Sequence, residues 1–168
     1  ICGSHINDND GNENLNIRGN YFENCAMNAI HMHGSKRGIF NDNILSGGIQ
    51  STIYSILGIG NMFSNTIINS SPNVGIMFID ELNSMSCNNY IKDTIGNGIV
   101  ISKFSNIYGN LNINSNIIEN AGDCGIRTFL SGIIINSNKL INITNYGIYI
   151  SANYCNISNN FINASCSL

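Results

Sequence analysis

The sequence predicts an all-β solenoid of about seven coils, each of roughly 22–27 residues with three short strands, stacked into parallel sheets. Three observations lead there. An asparagine recurs at Asn20, Asn43, Asn65, Asn89, Asn116, Asn138 and Asn160, at intervals of 23, 22, 24, 27, 22 and 22 residues. Two apolar columns keep phase with it. Phe22, Leu45, Ile67, Ile91, Ile118, Leu140 and Ile162 lie two places on, and Ile30, Ile53, Ile76, Ile99, Ile126 and Ile148 lie ten or so on. Along the chain apolar residues alternate locally at spacing two, as in Leu15/Ile17, Ile99/Ile101, Leu111/Ile113 and Ile148/Ile150. That is the period of a strand with one face in the core, and helix formers such as alanine, glutamate and lysine are scarce.

Superposing the repeats orders the elements. A first strand ends three residues before the marker asparagine, with Ile17, Phe40, Met62, Ile113, Ile135 and Ile157 facing inward. A second begins just after the marker. A third is centred on the isoleucine that follows Gly75, Gly98, Gly125 and Gly147. Three strands and three bends in so few residues give a triangular coil, and coils about 4.8 Å apart build three parallel sheets. Asparagine and glycine adopt left-handed backbone angles at least cost, so the marker column and a second column, Asn24, Gly47, Asn69, Asp93, Asn120 and Asn142, are expected at bends. Stacked asparagine side chains can also hydrogen-bond along a column. Residues 1–14 read as an irregular segment or partial coil, and residues 15–168 as one solenoid domain that continues in a longer protein.

Of the 168 residues, 43% are apolar and 10% are charged, enough to build a core. The net charge of -3 offers no grip on a phosphate backbone, so nucleic acid is not expected as a partner. The apolar runs fall far short of the ~20 residues of a membrane-spanning helix. Cys25, Cys87, Cys124 and Cys155 occupy different phases of the repeat, so they cannot pair rung to rung and are expected as buried thiols. The sequons at Asn69, Asn142, Asn156 and Asn163 are what an asparagine-rich chain produces by chance.

The repeated N-x-I followed by G-I-x-I, over roughly residues 15 to 165, resembles the parallel β-helix repeats of the pectate-lyase-like superfamily, especially the NosD-type and surface-protein repeats. The resemblance implies a right-handed coil. It also implies that a catalytic member would carry an acidic, calcium-binding cluster with an arginine or lysine base, or a tyrosine and histidine with acidic partners. Here Asp42, Asp80, Glu81, Asp93, Glu119 and Asp123 fall at scattered phases and read as solvated bend and rim residues. The nearest approach to a catalytic set is Asp93, Glu119, Asp123 and Arg127, where a base beside carboxylates could abstract a proton α to a uronate. Calcium would then be the cofactor; otherwise none is expected.

His31 and His33 flank Met32 on a strand and share a face at about 7 Å, with His5 as a conceivable third metal ligand. Two surface histidines on a strand are the plainer reading. Two outward columns are too apolar for a washed surface: Tyr21, Ile44, Thr66, Tyr90, Ile117, Lys139 and Phe161, and His31, Tyr54, Met77, Val100, Arg127 and Tyr149. Tyr54, Tyr90, Tyr149 and Arg127 are therefore the expected ligand-binding residues, suited to sugar rings or to a protein surface. The longest coil carries extra residues around 103–110, where a groove wall would be built. The expectation is a non-catalytic segment of a surface, secreted or virion-associated protein that binds glycans or packs against other chains. Further coils, a flanking domain or a second copy would cover its ends. A polysaccharide lyase, hydrolase or epimerase is the alternative, and a metal-handling periplasmic protein the third reading.

Overall fold

A computed structural model describes residues 4–7, 13–47, 50–105 and 109–165, the first of these segments as backbone alone. The chain winds through three parallel sheets of seven strands each. The first sheet runs from Ser4–Asn7 through Ile30–His33, Ser51–Ile56, Val74–Ile79, Asn97–Ser102 and Cys124–Thr128 to Tyr146–Ile150. The second begins at Asn16–Arg18 and ends at Asn156–Ser158; the third begins at Tyr21–Cys25 and ends at Phe161–Ala164. Sequential strands belong to different sheets, so every ladder joins one coil to the next. The opening strand Ser4–Asn7, inside the segment expected to be irregular, pairs in register with Ile30–His33.

The core is made by the inward columns. Ile30, Ile53, Ile76, Ile99 and Ile126 are fully buried, as are Leu45, Ile91, Ile118 and Leu140 from the third sheet. Phe40 stacks on Phe63 at 4.8 Å between ring centroids, and Phe63 meets Phe78 edge-on at 5.1 Å. Glycine before the inward isoleucine is required by close approach. A Cβ on Gly98 would lie 2.4 Å from Ile118 Cγ2 and 2.7 Å from the Gly125 carbonyl oxygen, both too short to accommodate.

The marker asparagines form a buried ladder. Asn116 Oδ1 accepts the Asn89 backbone N–H at 3.1 Å and its Nδ2 at 3.0 Å, while Asn116 Nδ2 donates to Asn138 Oδ1 and to the Ser86 carbonyl. Asn138 and Asn160 repeat the pattern, and so do Asn20 and Asn43. Six of the seven markers do not adopt the left-handed angles expected of them; Asn65 does, with φ 48°. In the other coils the residue before the marker takes the bend: Gly19, Asp42, Asn88, Ser115, Ser137 and Asn159 have φ between 53° and 65°.

Asn65 is therefore a bend residue and not a ladder residue. The ladder position in that coil is Thr66, whose N–H donates to Asn89 Oδ1 at 3.0 Å. The first two strands of that coil are displaced by one from the expected phase, while Ile76 in the third keeps it. Phe63, not Met62, pairs with Phe40 in the core; Ile68 is buried while Ile67 is 38% exposed; Ser70, not Asn69, takes the second bend with φ 53°. Successive residues of a strand face opposite ways, so a one-residue slip inverts every side chain. In a stretch where Ile67 and Ile68 are both apolar, periodicity alone could not choose between them.

The interior is not wholly apolar. Glu81 is fully buried, bonded by Ser55 Oγ, by Gly58 N–H at 3.1 Å, by Ser84 Oγ at 2.7 Å and by Asn61 Nδ2 at 3.4 Å. Asp80 is also buried: its carboxylate accepts the N–H groups of Phe104 at 3.1 and 3.2 Å and of Ser105 at 3.3 Å, anchoring one end of the long loop. Neither stands at the solvated rim that its phase in the repeat suggests. Their burial follows from filled donor sets that replace water. Residues 106–108 of that loop lie outside the described residues. Among the described cysteines, Cys25 and Cys124 are buried, and Cys87 and Cys155 are half-buried. Burial, then the neighbouring Asp123, pushes the Cys124 thiol up to about 11.

Two outcomes test this interior. Thr66→Asn should stabilise the fold by up to about 1 kcal/mol, because the amide restores an acceptor above the Asn43 N–H; Asn116→Ala should cost about 2–4 kcal/mol by orphaning buried donors. Urea melts of both variants decide it. Burial raises the Glu81 carboxyl above the ordinary carboxylate range, against the opposing hydrogen bonds from Ser55, Ser84, Asn61 and Gly58. The folded state then holds its proton more tightly than the unfolded state. Stability contributed by Glu81 should be full below the unfolded carboxylate pKa and should fall as pH rises through the folded value. Melting temperatures followed across pH should show that decline, and Glu81→Gln should flatten it.

Candidate binding face

The first sheet presents its outer side through one in-register column: His31, Tyr54, Met77, Val100, Arg127 and Tyr149. Alternation along the strands aims this column away from the core, yet it is only half-exposed, and Val100 is buried. The residues cover one another. His31 lies 4.8 Å from the Tyr54 ring, and toward the last coils Arg127 gathers a cluster of rings.

The Arg127 guanidinium carbon lies 5.0 Å from the centroid of Phe129 and 5.0 Å from that of Tyr149. Phe129 follows Arg127 at the spacing that returns a side chain to the same face, and Tyr149 comes from the next coil in register. Arg127 Nη1 reaches Asp123 Oδ2 at 3.3 Å, and Asp123 Oδ1 accepts Asn145 Nδ2 at 3.1 Å. Arg127 Nε is buried with no hydrogen-bond partner. Tyr146 completes the group, its ring 5.5 Å from that of Tyr149 and the residue 55% exposed. The result is a cation held against two rings that themselves lie 6.2 Å apart, with a third ring open to solvent.

Of the four expected ligand-binding residues, the fold brings Arg127 and Tyr149 together and leaves the other two elsewhere. Tyr54 is three rungs away beside His31, half-buried, and burial raises its phenol above the usual tyrosine range. Tyr90 belongs to the third sheet and donates its hydroxyl to Glu119 Oε2 at 2.5 Å, which raises its pKa. Phe129 and Tyr146 escaped the sequence reading, which followed a single column on this sheet. The i, i+2 pairing of Arg127 with Phe129 was the signal available.

The acidic candidates do not converge. Asp93 and Glu119 lie on the third sheet, where Asn120 Nδ2 donates to Asp93 at 2.7 Å and Tyr90 holds Glu119. Asp123 alone stands beside Arg127. Among the described residues, no group of three histidine, cysteine, aspartate or glutamate side chains is placed to hold a metal.

His31 and His33 share a face of Ile30–His33 as expected. Asn28 Oδ1 accepts both the N–H and the hydroxyl of Ser51, so its Nδ2 is the group turned to His31 Nδ1, at 3.4 Å. His5 stands in register with His31, but its side chain lies outside the described residues.

No curated protein matches the chain. The family described as right-handed beta helix region matches residues 2–132. The matched stretch covers most of the seven-rung sheets, and the chain belongs to the right-handed β-helix family.

Proposed function

We propose that this chain is a non-catalytic β-helix segment of a surface, secreted or virion-associated protein, and that it binds glycans on the outer side of its first sheet. One observation carries the reading: Arg127 packs against the adjoining rings of Phe129 and Tyr149, with the Tyr146 ring exposed beside them. A sugar ring presents an apolar face and a rim of hydroxyls. Stacking on Tyr146 would take the face, and the guanidinium, fixed by two rings and Asp123, would donate to the rim. Such a site recognises shape without a reacting group. Cleavage of a uronate polymer would call for a base and acidic partners on one face, whereas Asp93 and Glu119 are engaged on another sheet.

A glycan array followed by calorimetry on the best ligand tests this. Tyr146→Ala and Arg127→Ala should each weaken binding about tenfold, the size of one stacked ring or charged hydrogen bond. Ile44→Ser on the third sheet should leave binding unchanged. Release of unsaturated uronate products by the native chain, lost in Arg127→Ala, would favour the enzyme instead.

A further inference from the structure

The third sheet carries an outer column that the proposed glycan site does not use. Tyr21, Ile44, Ile67, Tyr90, Ile117, Lys139 and Phe161 stand in register, one per coil, from the first rung to the last. Tyr21, Ile44, Ile67, Ile117 and Phe161 are 38–63% exposed. The companion column on the same face is Glu23, Ser46, Asn69, Lys92, Glu119, Ile141 and Asn163. It holds Lys92 in register with Glu119. The remaining charges are Glu23 on the first rung and Lys139 on the sixth, one toward each end of the face. Asp93 lies at the bend that borders the face and is tied to Asn120.

We propose that this face is the contact surface of a two-fold homodimer, in which two copies pack sheet to sheet with their stacks running in opposite directions. The choice of a second copy rests on the charges. Glu23, Lys92, Glu119 and Lys139 sum to zero on a chain of net charge -3, so the face carries no net charge to repel a second copy, and Lys92, which meets the partner's Lys92 on the axis, stands one rung from the partner's Glu119. The antiparallel sense follows from where the charges stand. A two-fold axis along the strands through the Tyr90 rung sets Ile67 against the partner's Ile117, and Tyr21 against the partner's Phe161. It also brings Lys139 to within one rung of the partner's Glu23. The same patch then serves both copies, as an isologous interface requires, and two sheet faces align as in a β-sandwich.

Size sets the strength. Seven rungs at ~4.8 Å and strands of at most five residues at ~3.3 Å bound a face of at most about 29 by 16 Å, about 460 Å² per partner. Standard stable interfaces bury about 800 Å² per partner, so the dimer dissociates readily and its population follows concentration.

Sedimentation equilibrium on the intact chain tests this. The native protein should pass from monomer to dimer over the micromolar range and go no further. Ile67→Lys should weaken association at least tenfold, with an unchanged circular dichroism spectrum and melting curve because the side chain is exposed. Lys139→Glu and Glu23→Lys should each weaken self-association. An equimolar mixture of those two variants should recover it, because in the heterodimer both contacts between positions 139 and 23 again join opposite charges. A native chain that stays monomeric at high concentration would overturn the proposal. So would association that survives Ile67→Lys but disappears in Ile162→Lys, which would place the contact at the end of the stack, or a mixture that fails to recover.

Discussion

The buried asparagine ladder is the interaction on which the architecture depends. A bend between two sheets strands backbone N–H and carbonyl groups where no strand ladder can reach them. Each ladder amide answers both needs, accepting the N–H of the preceding rung while donating to a carbonyl at the bend and to the next amide. Without it the corner would hold orphaned polar groups in an apolar interior. With it, the relative register of neighbouring coils is fixed at one point, and the inward isoleucines stack on isoleucines of the next rung. Each such side chain then contributes roughly 1.5–3 kcal/mol by burial.

The ladder also explains how coils of different length coexist. The interval from Asn89 to Asn116 is 27 residues, against 22 from Asn116 to Asn138, yet the ladder bonds across both are alike. The surplus leaves the coil between the first and second sheets, where the buried Asp80 carboxylate binds the start of the loop. Glu81, next in sequence, turns inward and is caged by donors from its own coil and the one before. One adjacent pair of carboxylates therefore serves the outside and the inside of the same wall, and neither is available for chemistry on a substrate.

Dividing the outer surface by sheet separates two kinds of face. On the first sheet a cation and aromatic rings hold one another in fixed positions at one end, which suits recognition of a small polar ligand. On the third, β-branched and aromatic side chains repeat rung after rung with balanced charge, which suits a flat partner. Both arise from one device: a parallel coil returns each strand position to the same face every turn, so a sequence column becomes a continuous stripe.

The sequence by itself determined the fold class, the three strands per coil and the inward columns, because burial in a solenoid is periodic and Ile99, Ile118 and Ile126 repeat with it. It also named Arg127 and Tyr149, which the first sheet brings together. It did not determine the phase of the third coil, where Asn65 and Thr66, and Ile67 and Ile68, offer two registers of nearly equal pattern. Only packing against Phe40 and Asn89 chose between them. Nor did it show that Glu81 is buried or that Tyr90 is held by Glu119, since both depend on contacts with another coil. Tertiary structure decided the placement of Tyr146 beside Tyr149 and Arg127 for the same reason, whereas Phe129 follows from its i, i+2 spacing. Contacts between coils bring together residues some twenty positions apart, and column phase states the face of a side chain without stating which neighbour it touches.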